Sequence, residues 1–366
     1  MSNGRRSLAL PDFPWDLLAP YAVTARAHAD GVVDLSVGTP VDAVPAVVQA
    51  ALAATTDTPG YPATHGTTQV RESAAGWLLR RHGVPVDPMN VLPILGAKEF
   101  VAWLPSLLGL GAGDVVGLPA LAYPTYAVGA QLAGATPVVV QSTESAGPMS
   151  LLWVNSPANP HGQVLGVDHL RRLVAWARDR GTILVSDECY LEFGWSAEVP
   201  LSILHPTVCG DSQTGLIAVH SMSKRSNLAG YRAGFITGDA SLVAELLEVR
   251  RHAGMIVPAP IQAGMVAALD DDAHVDEQRA RYLARRSLLW PAFEAAGFRV
   301  EHSDGGLYLW VTRDEDCWAT VRWLADLGVL VAPGSFYGEA GRRHVRVALT
   351  ATDERVVAAA RRLSPV

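Results

Sequence analysis

A short polar segment between residues 220 and 234 carries the residue types that covalent cofactor chemistry requires. It reads HSMSKRSNLAGYRAG, so Lys224 is followed eight positions later by Arg232. A lysine amine can form an imine with an aldehyde cofactor, while hydroxyls and an arginine can hold an anionic group of that cofactor. Taken alone, the Ser-x-Ser-Lys pattern fits a solvated basic loop better, because motifs this short recur by chance. The rest of the sequence is therefore needed to choose between a cofactor-binding lysine and a solvated loop.

Two other polar segments also follow apolar runs that we predict as strands. The first reads LLWVNSPANPHG from residue 151, and the second reads TILVSDECY from residue 182. The segment that contains Lys224 follows a third such run. Ligands of parallel α/β sheets bind where the strands end, so we expect these three polar segments to meet at one site.

The predicted strands alternate with helical stretches from about residue 91 onward. This alternation is typical of β-α-β units around a mostly parallel sheet. One helix is predicted to begin with Asp168 as its N-cap, because apolar residues recur at helical spacing from 170 to 177. The predicted strands of this region are 91–95, 115–118, 137–140, 151–155, 182–186, 216–221 and 233–237.

The two ends of the chain differ from this central region. Residues 1–40 alternate proline, aromatic and small polar residues, which predicts an extended arm that leads into a short strand and a glycine turn. After about residue 240, longer helices dominate and are followed by two strands and a last helix. These elements are predicted at 272–296, 305–311, 344–349 and 353–363.

The chain is therefore predicted to have an α/β fold with two parts. A large domain, 45–250, would contain the mostly parallel central sheet and bind the cofactor. A smaller α+β domain would combine the N-terminal arm, 1–44, with the C-terminal segment, 251–366. With 366 residues, of which 49% are hydrophobic, the chain is long enough to bury a core in each part.

Charge and cysteine content exclude several classes of partner. The net charge of -7 and the pI near 5.9 argue against nucleic-acid or acidic-membrane binding, because both need clustered positive charge. Prolines break the uncharged stretch between Asp114 and Glu144, so we expect buried strands there and no membrane span. Three cysteines without metal-ligand spacing favour a reducing cytoplasm and no metal, and Pro11 and Pro14 prevent a signal-peptide core.

Five motifs in register resemble those of the fold-type I pyridoxal-phosphate aminotransferases of class I and II. They are N-P-x-G at Asn159, D-x-x-Y at Asp187, S-x-S-K ending at Lys224, the following Arg232 and the C-terminal Arg346. Asn159 and Asp187 are 28 residues apart, Asp187 and Lys224 are 37 apart, and Lys224 and Arg346 are 122 apart. These spacings are similar to those of the family. The resemblance covers residues 38–346. It implies pyridoxal 5′-phosphate as cofactor and amino acids and 2-oxo acids as substrates.

The resemblance implies a role for each motif. Lys224 would hold the cofactor as an imine and carry a proton between substrate and cofactor. Asp187 would keep the pyridine nitrogen protonated, and Tyr190 with Asn159 would hydrogen-bond the ring's 3′-oxygen. Arg346 would bind the substrate α-carboxylate with its forked guanidinium, helped by Asn159. A helix cap for Asp187, a turn for Asn159 and a solvated strand position for Arg346 stay open as alternatives.

Other residues would complete the cofactor and substrate sites. The phosphate ligands would be Ser221, Ser223, Arg232 and the backbone amides at Ala97 and Lys98, where a strand enters a helix. Tyr123 would stack on the pyridine ring, and Gly38 would help at the substrate carboxylate. Tyr61 resembles the tyrosine that reaches the phosphate of a neighbouring subunit, which implies a homodimer with shared active sites. Core or interface packing stays open for both tyrosines.

Longer segments resemble a narrower group, the actinobacterial succinyldiaminopimelate transaminases of lysine biosynthesis. They include LSVGTP from residue 35, GYPAT from residue 60 and SNLAGYRAG from residue 226. This resemblance implies exchange of an amino group between glutamate and N-succinyl-2-amino-6-oxopimelate. Both compounds carry a distal carboxylate, so a second cation is expected near the cofactor. The unranked candidates are Lys98, Arg225, Arg250 and Arg251, and a solvated surface position is equally open for Arg225.

Other functions also stay open. Transamination of other amino acids, or a lyase reaction such as β-elimination or decarboxylation, would use the same cofactor. A non-catalytic ligand-sensing domain would need an appended basic DNA-binding segment, which residues 1–40 do not provide. The S-x-x-K pattern at 221–224 lacks the partner motifs of penicillin-binding enzymes. The glycine-rich stretch 109–113 precedes a strand and follows a helix, the reverse of a dinucleotide-binding turn.

Overall fold

The structure is a computed structural model that describes residues 10–142, 146–197 and 199–364. The first nine residues of the predicted N-terminal arm lie outside the described residues. A short strand, β1 (Val33–Asp34), precedes the strands of a seven-stranded central sheet. These strands are β2 (Val91–Ile94), β3 (Val115–Pro119), β4 (Thr136–Val140), β5 (Leu151–Asn155), β6 (Ile183–Asp187), β7 (Leu216–Ser221) and β8 (Gly234–Gly238).

The central sheet is mostly parallel, as predicted. Its strand order is β2-β8-β7-β6-β5-β3-β4, and β8 pairs antiparallel with both of its neighbours. The parallel strands β3 to β7 place their carboxyl ends along one edge of the sheet. All seven strands predicted for this region belong to the sheet, with bounds that differ by one residue at most.

Helices cover both faces of the sheet, which explains why its central strands are apolar throughout. Every residue of β5 and β7 is buried. The helices are α1 (Ala19–Arg26), α2 (Ala46–Ala53), α3 (Thr68–His82), α4 (Ala97–Leu107), α5 (Thr125–Ala133), α6 (Val167–Arg180), α7 (Pro206–Cys209), α8 (Met222–Arg225), α9 (Ala240–Ala253), α10 (Ala259–Asp270), α11 (Ala273–Ala295), α12 (Cys317–Asp326) and α13 (Asp353–Leu363).

Helix α6 illustrates how the apolar spacing produces these helices. Its residues Leu170, Leu173, Val174 and Ala177 are buried on the sheet, as the periodicity predicts. The predicted N-cap at Asp168 is wrong, because Gly166 occupies that position and has no side chain with which to cap. Asp168 instead lies in the first turn, where its charge interacts favourably with the helix dipole.

A smaller group of strands is built from both ends of the chain. Its strands are β9 (Arg299–Glu301), β10 (Tyr308–Thr312), β11 (Val329–Leu330), β12 (Ala332–Pro333) and β13 (His344–Ala348). Four of them form an antiparallel sheet of order β12-β13-β10-β9, and β11 pairs in parallel with β1. Strand β10 begins three residues later than predicted, because Gly305, Gly306 and Leu307 precede the ladder.

The N-terminal arm is not extended, contrary to the prediction. Residues Pro14–Leu18 form a 3-10 helix that continues directly into α1. Its prolines stand in the first turns of these helices, where a missing backbone N–H costs no hydrogen bond. Leu18 and Ala22 are buried in the same apolar core as the C-terminal strands. The arm is thus joined to the C-terminal segment by packing as well as by the β1–β11 pair.

Helix α10 packs on α2 and α3, and its residues Met265 and Ala268 belong to a core shared with the central sheet. Helix α10 therefore contacts elements of the central region, although it lies after residue 250. The division into 1–44, 45–250 and 251–366 stays a prediction.

Within the described ranges, no helix has the length and apolar character needed to cross a membrane. No group of three or more His, Cys, Asp or Glu side chains in the same ranges could hold a metal ion. Cys189, Cys209 and Cys317 are free thiols.

Candidate active site

Lys224 lies just beyond the carboxyl end of β7, on the short helix α8. Ser221 caps this helix, since its Oγ accepts the backbone N–H of Ser223 at 3.1 Å. The Lys224 Nζ donates a hydrogen bond to the carbonyl of Gly38. Burial lowers the pKa of Lys224 from its ordinary value, because the neutral amine is easier to desolvate than the ammonium. This placement makes the amine a better nucleophile near neutral pH.

Asp187 ends β6, the strand next to β7 in the sheet. Its Oδ2 accepts the hydroxyl of Tyr126 at 2.7 Å, and its Oδ1 accepts the backbone N–H of Cys189 at 3.2 Å. Tyr126 is fully buried, and its ring stacks on Trp153 with centroids 4.7 Å apart. Because the phenol is fixed by packing, it fixes the carboxylate in turn. The sequence prediction did not include Tyr126.

Asn155 links the end of β5 to that of β6. Its Nδ2 donates to the Asp187 carbonyl at 2.8 Å, and its Oδ1 accepts the backbone N–H of Asn159 at 2.7 Å. The Asn159 side chain then accepts a hydrogen bond from Arg346 Nη1 at 2.9 Å, while Arg346 Nη2 donates to the Ser36 carbonyl at 2.7 Å. An arginine of β13 is thereby held against the ends of the central strands.

Arg346 is a buried cation that faces aromatic rings and not a carboxylate. Only 3% of the residue is exposed, and the guanidinium carbon lies 4.0 Å from the ring centre of Tyr308 and 5.0 Å from that of Tyr337. Its Nε has no hydrogen-bond partner, and no described carboxylate forms an ion pair with it. A buried cation without an anionic partner costs free energy. The arrangement is suited to receive an anion.

A second cluster of N–H donors lies at the start of α4. Gly96 is the N-cap of this helix, with φ of 82° and no side chain to cap the free N–H groups. A Cβ at this position would overlap the guanidinium of Arg232. Both the backbone conformation and the close approach therefore require glycine. The helix N-terminus and the guanidinium together offer several N–H donors to one anion.

These groups line one cavity of about 560 Å³, a volume typical of small-molecule sites. The cavity brings together every predicted site residue except Tyr61. The residues are Gly38, Ala97, Lys98, Tyr123, Asn159, Asp187, Tyr190, Ser221, Ser223, Lys224, Arg232 and Arg346. Tyr61 is fully exposed and lies outside the cavity.

Part of the cavity wall was not predicted from the sequence. Phe13, the N-cap of the N-terminal 3-10 helix, and Trp15 within it line the cavity with ring centroids 5.7 Å apart, and Lys98 Nζ is 5.5 Å from the Phe13 ring. Cys189 and Tyr308 line the inner wall. A sequence signal existed for Tyr308, because it lies in the strand predicted at 305–311, but none existed for Phe13 and Trp15.

The Aminotransferase class I and II family model matches residues 30–363 of this sequence. The chain belongs to this family. A relative of this aminotransferase, the 4-dedimethylamino-4-oxo-anhydrotetracycline transaminase of Streptomyces rimosus, is 61% identical over 357 residues, which cover 97% of this chain and 99% of the relative. The LL-diaminopimelate aminotransferase of Aquifex aeolicus is 32% identical over 354 residues, which cover 91% of this chain and 90% of the relative. A crystal structure of an aminotransferase from Neisseria meningitidis matches with a TM-score of 0.89 and 30% identity over 97% of each chain.

Class I and II aminotransferases depend on pyridoxal 5′-phosphate, use amino and oxo acids as substrates and commonly work as dimers. The donor set of this aminotransferase fits the cofactor. Lys224 offers an amine for the aldehyde, Asp187 offers an oriented carboxylate for the ring nitrogen, and the corner between Gly96 and Arg232 offers donors for the phosphate. All of these groups face the same cavity.

The four cations considered for a distal carboxylate differ in their position in the aminotransferase. Arg225 is 2% exposed, with its guanidinium 4.9 Å from the Trp77 ring and its Nε 3.8 Å from Glu192, so it is neither a solvated nor a cavity residue. Both interpretations made from the sequence are wrong for Arg225.

The other three candidates also differ in burial and in their partners. Arg250 is buried and pairs with Glu99 at 3.3 Å, and the exposed Arg251 pairs with Glu248 at 2.7 Å. Of the four candidates, Lys98 alone lines the cavity.

Proposed function

We propose that this aminotransferase is a succinyldiaminopimelate transaminase of lysine biosynthesis. It would exchange the amino group of N-succinyl-LL-diaminopimelate with 2-oxoglutarate, giving N-succinyl-2-amino-6-oxopimelate and glutamate. The observation that carries this proposal is the pairing of two cationic positions in one cavity. Arg346 lies buried without an anionic partner among the described residues, and the exposed Lys98 lines the same cavity. A substrate with an α-carboxylate and a distal carboxylate matches both.

Lys224, Asp187 and Tyr190 are proposed as the catalytic residues. When bound, the cofactor supplies an aldehyde for the amino group and a ring that accepts electrons from the substrate's α-carbon. Lys224 Nζ would first hold the cofactor and then move the proton at that carbon, a task suited to an amine whose pKa is lowered by burial. Asp187 would stabilise the protonated ring nitrogen, and Tyr190 would donate its hydroxyl to the ring's 3′-oxygen.

Further residues are proposed to hold and orient the cofactor. Its phosphate would be bound by the backbone amides at Ala97 and Lys98, the hydroxyls of Ser221 and Ser223, and Arg232. Tyr123 would stack on the ring; burial raises the pKa of its hydroxyl to about 12, so the phenol stays neutral. Asn159 would hydrogen-bond the 3′-oxygen as well as orient Arg346, which donates to it at 2.9 Å.

The two substrate carboxylates are assigned to two different cations of the cavity. Arg346 would bind the α-carboxylate through the guanidinium N–H groups that Asn159 and Ser36 leave free, with the Gly38 backbone beside it. Lys98 would bind the distal carboxylate, because its exposed ammonium lies near the Phe13 ring. This arrangement serves glutamate and the longer succinylated substrate with the same two cations.

A second candidate function is transamination of an oxo group on a polycyclic substrate. The Streptomyces rimosus relative, a transaminase of 4-dedimethylamino-4-oxo-anhydrotetracycline, supports it, since that protein is 61% identical to this chain. The apolar side chains of Phe13, Trp15 and Val37 at the cavity also favour contact with flat rings. In this case the α-carboxylate site would serve the amino donor alone.

We also propose a cytoplasmic homodimer with shared active sites. The Tyr61 ring is fully exposed in the single chain, as expected of a side chain that reaches the phosphate of a second subunit. Three free thiols fit a reducing compartment. Light scattering of the purified holoenzyme, combined with cofactor affinity of a Tyr61→Phe variant, tests the dimer and the shared site separately.

A panel of amino donors with 2-oxoglutarate tests the substrate assignment. We expect N-succinyl-LL-diaminopimelate to give glutamate faster than aromatic or aliphatic amino acids do. One arm of the panel uses glutamate with 4-dedimethylamino-4-oxo-anhydrotetracycline, so that the second candidate is measured directly. A Lys224→Ala variant provides the inactive control. Turnover of an aromatic or aliphatic amino acid without turnover of the succinylated compound would overturn the assignment, and ammonia released without glutamate would indicate a lyase.

A further inference from the structure

Tyr308 occupies a central position in the cavity, although no motif of the sequence includes it. It is the first residue of β10, where it pairs with Ala348 of β13, and 4% of it is exposed. Arg346 lies two residues before Ala348 on the adjacent strand, so both side chains lie on the same face of this small sheet. Tyr308 therefore contacts the carboxylate-binding arginine from one side and the cofactor end of the cavity from the other.

The ring of Tyr308 supports Arg346. The guanidinium carbon lies 4.0 Å from the ring centre, closer than to the Tyr337 ring at 5.0 Å. An aromatic face stabilises a cation without neutralising it, and it offers no competing carboxylate. A flat guanidinium stacked in this way keeps its edge N–H groups free for Asn159 and for an incoming carboxylate.

The hydroxyl of Tyr308 contacts the other functional region. It lies 3.0 Å from the hydroxyl of Tyr190, within hydrogen-bond distance. The Gly38 backbone packs closely against the same hydroxyl, since a Cβ on Gly38 would overlap it. When Tyr190 donates its own proton to the cofactor's 3′-oxygen, it can still accept one from Tyr308. Hydrogen bonds in such a chain strengthen one another.

We propose that Tyr308 is a positioning residue that couples substrate carboxylate binding to the electronic state of the bound cofactor. Its ring orients Arg346 for the carboxylate, and its hydroxyl makes Tyr190 a stronger donor to the ring's 3′-oxygen. One side chain thus serves both ends of the reaction centre. The inference rests on the roles proposed above for Tyr190 and Arg346, but not on the identity of the substrate.

The two halves of the proposal are separated by two substitutions at the same position. Tyr308→Phe removes the hydroxyl and keeps the ring, so the pH midpoint of the bound cofactor's visible absorption should rise by roughly 0.3 to 1 pH unit. The direction follows because a weaker donor at Tyr190 stabilises the anionic 3′-oxygen less. KM for the best amino donor should stay within about twofold, since a retained aromatic face keeps the cation–π contact.

Tyr308→Leu removes both the hydroxyl and the ring. It should show the same spectral shift and, in addition, a rise in KM of roughly fivefold to thirtyfold, from loss of the cation–π contact. Tyr21→Phe is the matched control, because Tyr21 stacks on Trp318 outside the cavity and should change neither quantity. An unmoved absorption midpoint in Tyr308→Phe, or an unmoved KM in Tyr308→Leu, would overturn the proposal.

The absorption titration needs no substrate. If the substrate panel refutes the succinyldiaminopimelate assignment, the spectral shift can still be read. If the cofactor site itself is wrongly assigned, the Lys224→Ala control keeps the visible band, which identifies that failure separately.

Discussion

Two buried arginines of this aminotransferase, Arg225 and Arg346, have similar surroundings and different partners. Both are at most 3% exposed, and both have a guanidinium over an aromatic ring, Trp77 for Arg225 and Tyr308 for Arg346. Arg225 also faces Glu192, whereas Arg346 faces carbonyl and amide oxygens. Arg225 is the immediate neighbour of Lys224 and yet lies outside the cavity.

The comparison indicates that the counter-ion, more than burial or proximity in sequence, distinguishes Arg346, the cation proposed to bind a carboxylate, from Arg225, a cation of the scaffold. A buried ion pair is already neutral, so its cation has little remaining electrostatic attraction for an anionic ligand. A buried cation that lacks an anion keeps its electrostatic attraction for an incoming carboxylate. Substituting the same residue at both positions tests this distinction, and Lys98 adds an exposed cation as a third case.

The largest effect is expected for Arg346→Met. Removal of this cation should lower kcat/KM for every amino donor by about 100-fold to 1000-fold, the range for truncating one partner of a buried charged contact. The free energy of unfolding of the holoenzyme should not fall by more than about 1 kcal/mol, because the lost cation had no anionic partner. Steady-state kinetics and denaturant unfolding measure the two quantities. Unchanged kinetics would contradict the carboxylate assignment.

Arg225→Met should show the opposite pattern. It leaves Glu192 buried with less positive charge around it, so the free energy of unfolding should fall by about 2 to 4 kcal/mol, somewhat below the range for breaking a fully isolated buried pair. Arg81 keeps an ion pair with Glu192 at 3.0 Å, which limits the loss. KM for amino donors should change by less than about threefold. The same two assays are used, which makes the pair of variants a matched test.

The pH dependence of the Arg225→Met effect identifies its electrostatic part. Burial raises the pKa of Glu192, but the His82 imidazole, whose Nε2 lies 3.7 Å from the carboxylate, and the charges of Arg225 and Arg81 more than offset this and hold the pKa well below its usual value of 4.5. A lowered pKa in the folded state gives stability that is present above about pH 4.5 and lost as pH falls. The stability difference between variant and wild type should therefore shrink in acid. A constant difference would assign it to packing.

The smallest effect is expected for Lys98→Met. Its exposed ammonium acts through solvent, so kcat/KM for glutamate should fall only about threefold to tenfold, and that for alanine should not change. Salt screens an exposed charge, so at 0.5 M salt the glutamate-to-alanine ratio of kcat/KM in the variant should approach the ratio in the wild type. This salt concentration is about five times the ionic strength that gives a 10 Å Debye length. Lys98→Arg keeps the charge and serves as the control. An equal loss for both donors would place the distal carboxylate elsewhere.

Strand ends and their polar residues could be predicted because they depend on local sequence. An apolar run followed by Asn159, Asp187 or Lys224 specifies both a buried strand and the edge at which its polar residues emerge. The gathering of these residues around one cavity followed from the parallel sheet, which the alternation of strands and helices predicts. The spacing of five motifs then connected Arg346 to the same site.

The remaining features depend on contacts that local sequence does not contain. The burial of Arg225 arises from Trp77 and Glu192, which come from other elements, so its sequence neighbours suggested a loop. The prolines near Phe13 and Trp15 suggested an extended arm, although proline is equally suited to the first turn of a helix. The contact of the Tyr126 hydroxyl with Asp187 could not be predicted, because the two residues belong to different elements.

The contact between Ser36 and Arg346 joins residues 310 positions apart in the chain. Among the described residues, strand β1 pairs only with β11, and β13, which carries Arg346, follows all seven strands of the central sheet in the chain. The central sheet is therefore synthesised before β13, so the half proposed to hold the cofactor can assemble before the half proposed to bind the carboxylate. During synthesis, the proposed carboxylate site is thus completed later than the proposed cofactor site.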